Sequence, residues 1–334
     1  MMKKRTGLII LLLGLLMTVI FSGCDFISID MNTSDDDHDT QTPSPSHTEQ
    51  EMPSSQTPVV TATVNLPDIL VPAASGQAVE ENGQAVIDFS NAQDGYIMAK
   101  YTEATDMKIK LLLTIPEGIQ YTYSIQPNGQ FDVFPLSGGN GVYEIGVFKQ
   151  VEGTRYSMVL SATIDVVLTD EFAPFLRPNQ YVNFHKNSAA VRKAAELTAG
   201  ITDFMDKVTA IYHYIITHID YDTHLAETVQ SGYIPDLDEV LARGEGICFD
   251  YAALMAAMLR SQRIPTKLVI GYTGDVYHAW ISVYSEEDGW LDNVIHFNGR
   301  TWELVDPTFA ANGSSRSAAQ YIGDGANYTA QFFH

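Results

Sequence analysis

The stretch at residues 244–265, GEGICFDYAALMAAMLRSQRIP, places a cysteine between a glycine-rich approach and an apolar run. After Cys248 the apolar residues recur at three- and four-residue intervals, which predicts a helix from Cys248 to about Ser261 with one apolar face. A helix that begins at a cysteine directs free N–H groups and the positive end of its dipole at the sulfur, which favours the thiolate. Cys248 is therefore either a nucleophile at a helix start or a small apolar residue in a core.

The length and the charge of the chain limit what it can bind. Its 334 residues suggest about two domains. The net charge is −22, from 41 acidic residues against 19 basic ones. The negative electrostatic field of such a chain repels phosphate groups. Nucleic acid is therefore excluded as a partner, and a neutral or cationic partner is favoured.

The first 23 residues, MMKKRTGLIILLLGLLMTVIFSG, are typical of an export signal, because basic residues are followed by an apolar run and then by small residues. The sequence FSGC at residues 21–24 resembles the lipobox of bacterial lipoproteins, which implies cleavage before Cys24 and lipidation of that cysteine. An uncleaved anchor and ordinary secretion are the alternatives. In each case the bulk of the chain is exported, and the lipobox implies a membrane lipoprotein on the outer face of the cell.

Two regions separate this signal peptide (residues 1–23) from the cysteine helix. Residues 24–75 are acidic and rich in Ser, Thr and Pro, which predicts a disordered tether because little apolar area can be buried. Residues 76–168 hold about seven strand-like runs between turn signals, a pattern that predicts an all-β, immunoglobulin-like sandwich. This region has no catalytic constellation, so a spacer or a binding module is its expected role.

Residues 169–334 contain predicted helices followed by predicted strands, which favours an α+β domain. The predicted helices begin at Ser188, Thr202 and Cys248, and a shorter one, DLDEVLA, ends at Gly244. The predicted strands are TKLVIGY, HAWISVY, VIHF and TWELVD. The cysteine helix therefore precedes a sheet within one domain.

Acyl chemistry at Cys248 requires a base and a group that orients the base. His278 opens the strand segment HAW, and a hairpin across the helix start would bring it beside the sulfur. Asp306 closes TWELVD, where Pro307 ends the ladder and fixes the carboxylate at the end of the strand. These residues are the candidate catalytic groups.

Two aromatic residues are candidates for lining the substrate cleft. Trp280 shares a strand face with His278 and could wall an acyl pocket, although a large aromatic residue in a strand is more often part of a core. Tyr221, in HIDYD upstream of the cysteine helix, could stabilise an oxyanion or line the cleft.

The motifs RGEG, GICFDYA, HAW and VDPT, in this order over roughly residues 170–310, resemble the transglutaminase-like superfamily. The resemblance implies a papain-like core with a Cys, His, Asp triad. In that core Cys248 is the nucleophile, His278 the general base and acid, and Asp306 the orienting carboxylate. No cofactor is implied, and a calcium requirement does not follow because no acidic loop resembles a calcium site.

The expected function is acyl transfer on protein or peptide amides through a thioester at Cys248, with an amine as acceptor. A cysteine peptidase or amidase, with water as acceptor and peptide or cell-wall peptide as substrate, is one alternative. A non-catalytic surface binding protein is another.

A metal site is a further interpretation of the sequence HIDYDTH at residues 218–224. In an extended segment, His218, Asp220, Asp222 and His224 would share one side. Short polar runs after a helix are usually solvated, so no metal is expected.

Overall fold

The computed structural model describes residues 66–273, 276–287, 289–297, 302–304 and 328–334. The predicted signal, most of the tether, the lipidation candidate Cys24 and the triad candidate Asp306 lie outside these residues. Chain contacts divide the protein into Met1–Val59 and Val60–His334, and every described residue belongs to the second unit. None of the helices in the described ranges is long and apolar enough to cross a membrane.

The first part of the described chain consists of strands. They are β1 (Val79–Glu81), β2 (Ala85–Asp88), β3 (Tyr96–Tyr101), β4 (Ile109–Thr114), β5 (Gln120–Ile125), β6 (Asp132–Pro135), β7 (Gly141–Glu152) and β8 (Arg155–Val166). They form two antiparallel four-stranded sheets, with the orders β1-β2-β3-β6 and β5-β4-β7-β8. The seven predicted strands all form, and β1 is an additional edge strand.

The two sheets enclose one apolar core. In β4, Ile109, Leu111 and Leu113 are buried while the residues between them are half-buried, which is the period-two pattern of a strand with one inward face. These side chains belong to the same buried cluster as Ile87 and Ile97 of the other sheet. The immunoglobulin-like topology stays a prediction.

The second part begins with helices: α1 (Ala189–Leu197), α2 (Phe204–His218), α3 (Thr223–Thr228), α4 (Leu237–Arg243) and α5 (Cys248–Ser261). Helix α5 has the predicted bounds. Helix α2 begins after Asp203 and not after Thr202, because the Asp203 carboxylate accepts a hydrogen bond from the Asp206 N–H at 2.9 Å. Helix α3 is not among the predicted helices, and Asp222 caps it in the same way.

A five-stranded antiparallel sheet completes this part. Its strands are β11 (Thr266–Thr273), β12 (Val276–Ser285), β13 (Gly289–Phe297), β14 (Trp302–Leu304) and β15 (Tyr328–Phe333). They lie in the order β14-β13-β12-β11-β15. Helix α5 packs on one face, where Ala279, Ile281 and Val283 join its apolar residues in one buried cluster. Helices and sheet together give the mixed architecture that the sequence predicts, and β15 is a strand that it does not predict.

A buried arginine joins the end of helix α5 to three other segments. The Arg260 guanidinium donates hydrogen bonds to the carbonyl oxygens of Thr266, Arg177 and His334, at 2.9, 2.9 and 2.5 Å. Burial lowers the pKa of Arg260 to about 9. These contacts fix α5 against the sheet, so the position of its first residue is set by a well-packed helix.

Candidate active site

The glycines before the cysteine have distinct structural roles. Gly244 ends α4 in the left-handed conformation with φ +68°, which disfavours other residues. The next two residues form a short strand, β10 (Glu245–Gly246), which pairs in parallel with β9 (Asp220–Tyr221). Gly246 has no room for a side chain, since a Cβ there would lie 2.8 Å from the Cβ of Asp250. The glycine-rich approach thus brings the chain into contact with the segment around Tyr221.

Cys248 is the first residue of α5 and is partly exposed. Burial is the largest influence on its thiol and raises its pKa. Three backbone N–H groups lie close enough to the sulfur to lower the pKa, those of Ala279, Phe249 and Cys248 itself, and the Asp250 carboxylate raises it. The net pKa is above the ordinary value, so the surroundings favour a neutral thiol and not the thiolate that the helix start alone predicts.

Tyr221 lies close enough to Cys248 for the two groups to influence each other electrostatically. Its hydroxyl is half-buried, and burial, followed by the nearby Cys248 and Asp250, raises its pKa to about 12. A phenol with this pKa stays protonated throughout the pH range of most enzymes, so it can donate a hydrogen bond. The β9–β10 pairing places Tyr221 next to Gly246, two residues before Cys248, and its role in oxyanion stabilisation stays a prediction.

His278 and Trp280 lie on one face of β12, as the sequence predicts. The His278 side chain is buried, and its ring stacks on that of Trp280 with centroids 6.2 Å apart. Trp280 also meets Tyr328 of β15 edge to face, at 5.2 Å. Because Ala279 directs its N–H at the Cys248 sulfur, the strand segment that carries His278 passes the nucleophile candidate at backbone level.

The alternative metal site in HIDYDTH has no support in the local geometry. His218 belongs to the last turn of α2, where its ring stacks on Tyr214 with centroids 4.3 Å apart. Asp222 instead caps α3 through the Leu225 N–H. Within the described ranges, no group of three or more His, Cys, Asp or Glu side chains is placed to hold a metal ion.

Sequence reasoning missed Asp250 and Tyr277, which influence Cys248, and Tyr233, which binds Asp250. Asp250 is fully buried on α5 and accepts a hydrogen bond from Tyr233 at 2.6 Å. Tyr277 is more than half exposed, yet it lies close enough to Cys248 for the thiolate to raise its pKa, after the larger effects of burial and Tyr272. An acidic residue in a first helical turn is common and predicts only a cap, and no spacing connects the tyrosines to the cysteine.

Comparison with known proteins finds a family model that matches part of the chain. Residues 191–293 match the model of the transglutaminase-like superfamily. The chain is also 29% identical over 118 residues to an uncharacterised protein of Bacillus subtilis strain 168, YebA. That alignment covers 29% of this chain and 16% of YebA, so the chain spans about one sixth of the relative.

Three solved structures resemble this one at low sequence identity. A candidate cysteine protease from Cytophaga hutchinsonii is 18% identical, with 70% of this chain and 73% of that chain covered and a TM-score of 0.36. A candidate protease from Parabacteroides distasonis is 13% identical, with coverages of 62% and 63% and a TM-score of 0.27. Red sea bream transglutaminase is 13% identical, with coverages of 64% and 48% and a TM-score of 0.25. All three TM-scores are below 0.5, so these similarities carry no information about the activity of this chain.

Proposed function

We propose that Cys248, at a helix start within the transglutaminase-like core of residues 191–293, is the nucleophile of a thiol-dependent acyl transfer on protein or peptide amides. The observation that carries the proposal is the set of backbone N–H groups around the sulfur, from Cys248, Phe249 and Ala279. Donors that meet at a nucleophile are also placed for the oxyanion that forms when the nucleophile attacks a carbonyl. An inert core thiol requires no such donors.

The proposed reaction has two halves. His278 takes the proton of the Cys248 thiol as the sulfur attacks the amide carbon, and the backbone donors with the Tyr221 hydroxyl bind the oxyanion. When the tetrahedral intermediate collapses, the imidazolium returns its proton to the leaving nitrogen, ammonia or an amine departs, and a thioester remains. Asp306 orients the imidazole in this scheme.

A second nucleophile resolves the thioester. A primary amine gives transamidation, whereas water gives hydrolysis, and His278 accepts a proton from either one. The net charge of −22 favours a cationic amine near the protein, because ammonium groups are attracted to a negative field. We therefore propose an amine as the physiological acceptor, on a lipoprotein that Cys24 anchors to the outer face of the membrane.

Incubation of the purified protein with dimethylated casein and dansylcadaverine tests the reaction, with Cys248→Ala as the matched control. We expect Cys248-dependent incorporation of the fluorophore, accompanied by release of ammonia in equal amount. Ammonia release without incorporation would replace transamidation by hydrolysis at the same thioester. If the wild-type protein and Cys248→Ala give the same signal in both measurements, the proposed catalysis is wrong and a surface binding role takes its place.

A further inference from the structure

The described residues include a buried carboxylate for which the proposed reaction has no role. Asp250, on the first turn of α5 and two residues after Cys248, has no exposed surface. One carboxylate oxygen accepts a hydrogen bond from the Ile247 N–H at 2.8 Å, and the other accepts one from the Tyr233 hydroxyl at 2.6 Å. A buried ionised group is costly unless it is hydrogen-bonded, and here each oxygen has its own donor.

The Asp250 side chain binds the backbone of the residue directly before the nucleophile. Ile247 is the N-cap of α5, and its own side chain has no acceptor, so the Asp250 carboxylate provides the capping interaction by binding the Ile247 N–H. The missing side chain of Gly246 makes room for Asp250, because a Cβ there would lie 2.8 Å from the Asp250 Cβ. The backbone that leads into Cys248 is therefore held by a carboxylate from the first turn of α5.

Tyr233 connects this carboxylate to a separate loop, residues 229–236, between α3 and α4. Its ring contacts that of Phe249, with centroids 6.4 Å apart. The neighbouring Gly232 approaches the first set of sheets, since a Cβ there would lie 3.4 Å from the Ser124 hydroxyl oxygen of β5. A simple helix cap requires no second donor from so distant a segment, so the Tyr233 contact indicates a role beyond capping.

We propose that Asp250 is a positioning residue for Cys248, because its carboxylate holds Ile247 and Tyr233 together and thereby fixes the sulfur against the surrounding backbone N–H groups. The proposal rests on the proposed function, in which those groups bind the oxyanion. A shift of about 1 Å in such a site costs on the order of a hundredfold in rate. Asp250 itself touches neither substrate nor the reacting atoms in this scheme.

The charge of Asp250 provides a separate, measurable signature. The carboxylate raises the pKa of the Cys248 thiol, because a negative charge disfavours a second one nearby. Burial raises the pKa of Asp250 itself, the hydrogen bonds from Tyr233 and Ile247 oppose this, and the other charged groups nearby are Arg243, which lowers the pKa, and Asp222, which raises it. The substitution Asp250→Asn keeps one carbonyl oxygen for the Ile247 N–H but removes the charge, so geometry and charge can be separated.

The test compares Asp250→Ala, Asp250→Asn and Tyr233→Phe with the wild-type protein in the dansylcadaverine assay. We expect Asp250→Ala to lower kcat about a hundredfold with KM changed less than about twofold, since positioning and not binding is lost. Asp250→Asn should recover most of that rate, and Tyr233→Phe should lower kcat about tenfold. Tyr233 is only partly buried, so its variant decides the question if Asp250→Ala does not fold.

Alkylation of Cys248 by iodoacetamide, followed against pH, is the second readout and requires no substrate. We expect Asp250→Asn to move the midpoint to lower pH, whereas Asp236→Asn, which alters the exposed cap of α4, should leave it unchanged. Wild-type kcat in Tyr233→Phe, or equal losses in Asp250→Ala and Asp250→Asn with no shift of the midpoint, would overturn the positioning role. If the wild-type protein has no Cys248-dependent activity but Asp250→Asn still moves the alkylation midpoint, the proposed function is wrong. Only the electrostatic influence of Asp250 on the Cys248 thiol would then stand.

Discussion

At the scale of single residues, opposing influences act on the thiol of Cys248. A helix start and the N–H groups around the sulfur favour the thiolate, whereas burial and the nearby Asp250 favour the neutral thiol. Burial is the largest of these influences, so the described surroundings raise the pKa. A neutral thiol requires proton removal at the moment of attack, so in the proposed reaction His278 acts as a general base and not as a permanent counterion.

The pH dependence of alkylation tests this balance. Since burial raises the pKa of the Cys248 thiol, we expect iodoacetamide to label Cys248 with a midpoint at higher pH than that of an ordinary exposed thiol. Glutathione under the same conditions is the control, and peptide mass spectrometry separates Cys248 from Cys24. A midpoint below pH 8 would show instead that a cation, such as a protonated His278, holds the thiolate in the resting protein.

The candidate site could be predicted only in part, for reasons that its residues make clear. Cys248 and His278 stand in short motifs whose chemistry and local structure are readable from neighbouring residues. Tyr233 contacts Asp250 from a loop 17 residues earlier, and nothing in the local pattern indicates that approach. The approach of the Tyr221 segment to the chain before Cys248 depends on the two-residue pairing of β9 with β10, which is too short to leave a periodic signal.

At the scale of secondary-structure elements, the position of helix α5 could be predicted from the sequence, whereas that of strand β15 could not. Helix α5 follows a glycine in the left-handed conformation and has an apolar period, so its bounds were predictable. Strand β15 does not alternate buried and exposed residues. It forms because it pairs with β11, more than 50 residues earlier in the chain, which local patterns do not encode.

The pairing of β11 with β15 depends on Gly271. A Cβ at this position would lie 2.1 Å from the Thr329 carbonyl oxygen, so Gly271→Ala must push the two backbones apart. We expect it to lower the free energy of unfolding by about 2 kcal/mol or more, measured by urea denaturation. Gly83→Ala, where a Cβ would meet nothing within 4 Å, is the matched control and should change stability by less than about 0.5 kcal/mol. Equal midpoints for the two variants would contradict the close approach.

At the scale of the whole described unit, the segment at Phe332 and His334 joins the paired sheets to the helical part. The His334 ring packs edge to face on Tyr121, Tyr123 and Tyr181, with centroids 4.9 to 5.5 Å apart. Phe332 belongs to the surroundings of both apolar clusters. The Tyr123 hydroxyl and the His334 Nδ1 are 3.0 Å apart although the residues are separated by 211 positions, so this junction could not be predicted from any local motif.

His334 makes the stability of this junction dependent on pH. Burial, together with the nearby Arg260, lowers its pKa to about 3, whereas an unfolded histidine titrates near 6.5. The unfolded chain therefore takes up the proton first, so the stabilisation is complete above about pH 6.5 and is lost as the pH falls towards 3. Between pH 6.5 and pH 4 the loss amounts to about 3 kcal/mol.

Thermal unfolding of His334→Phe between pH 7 and pH 4 tests this linkage. The variant should be less stable at pH 7 by about 1 kcal/mol, because the hydrogen bond with Tyr123 is lost, but its Tm should fall less steeply as the pH decreases. Tyr123→Phe removes the same hydrogen bond and keeps the imidazole, so it should retain the steep decrease. Parallel Tm curves for the wild-type protein and His334→Phe would show that other groups govern acid unfolding. A difference that is constant above pH 6.5, and that narrows and then reverses below it, identifies the buried imidazole as the group whose protonation destabilises this junction.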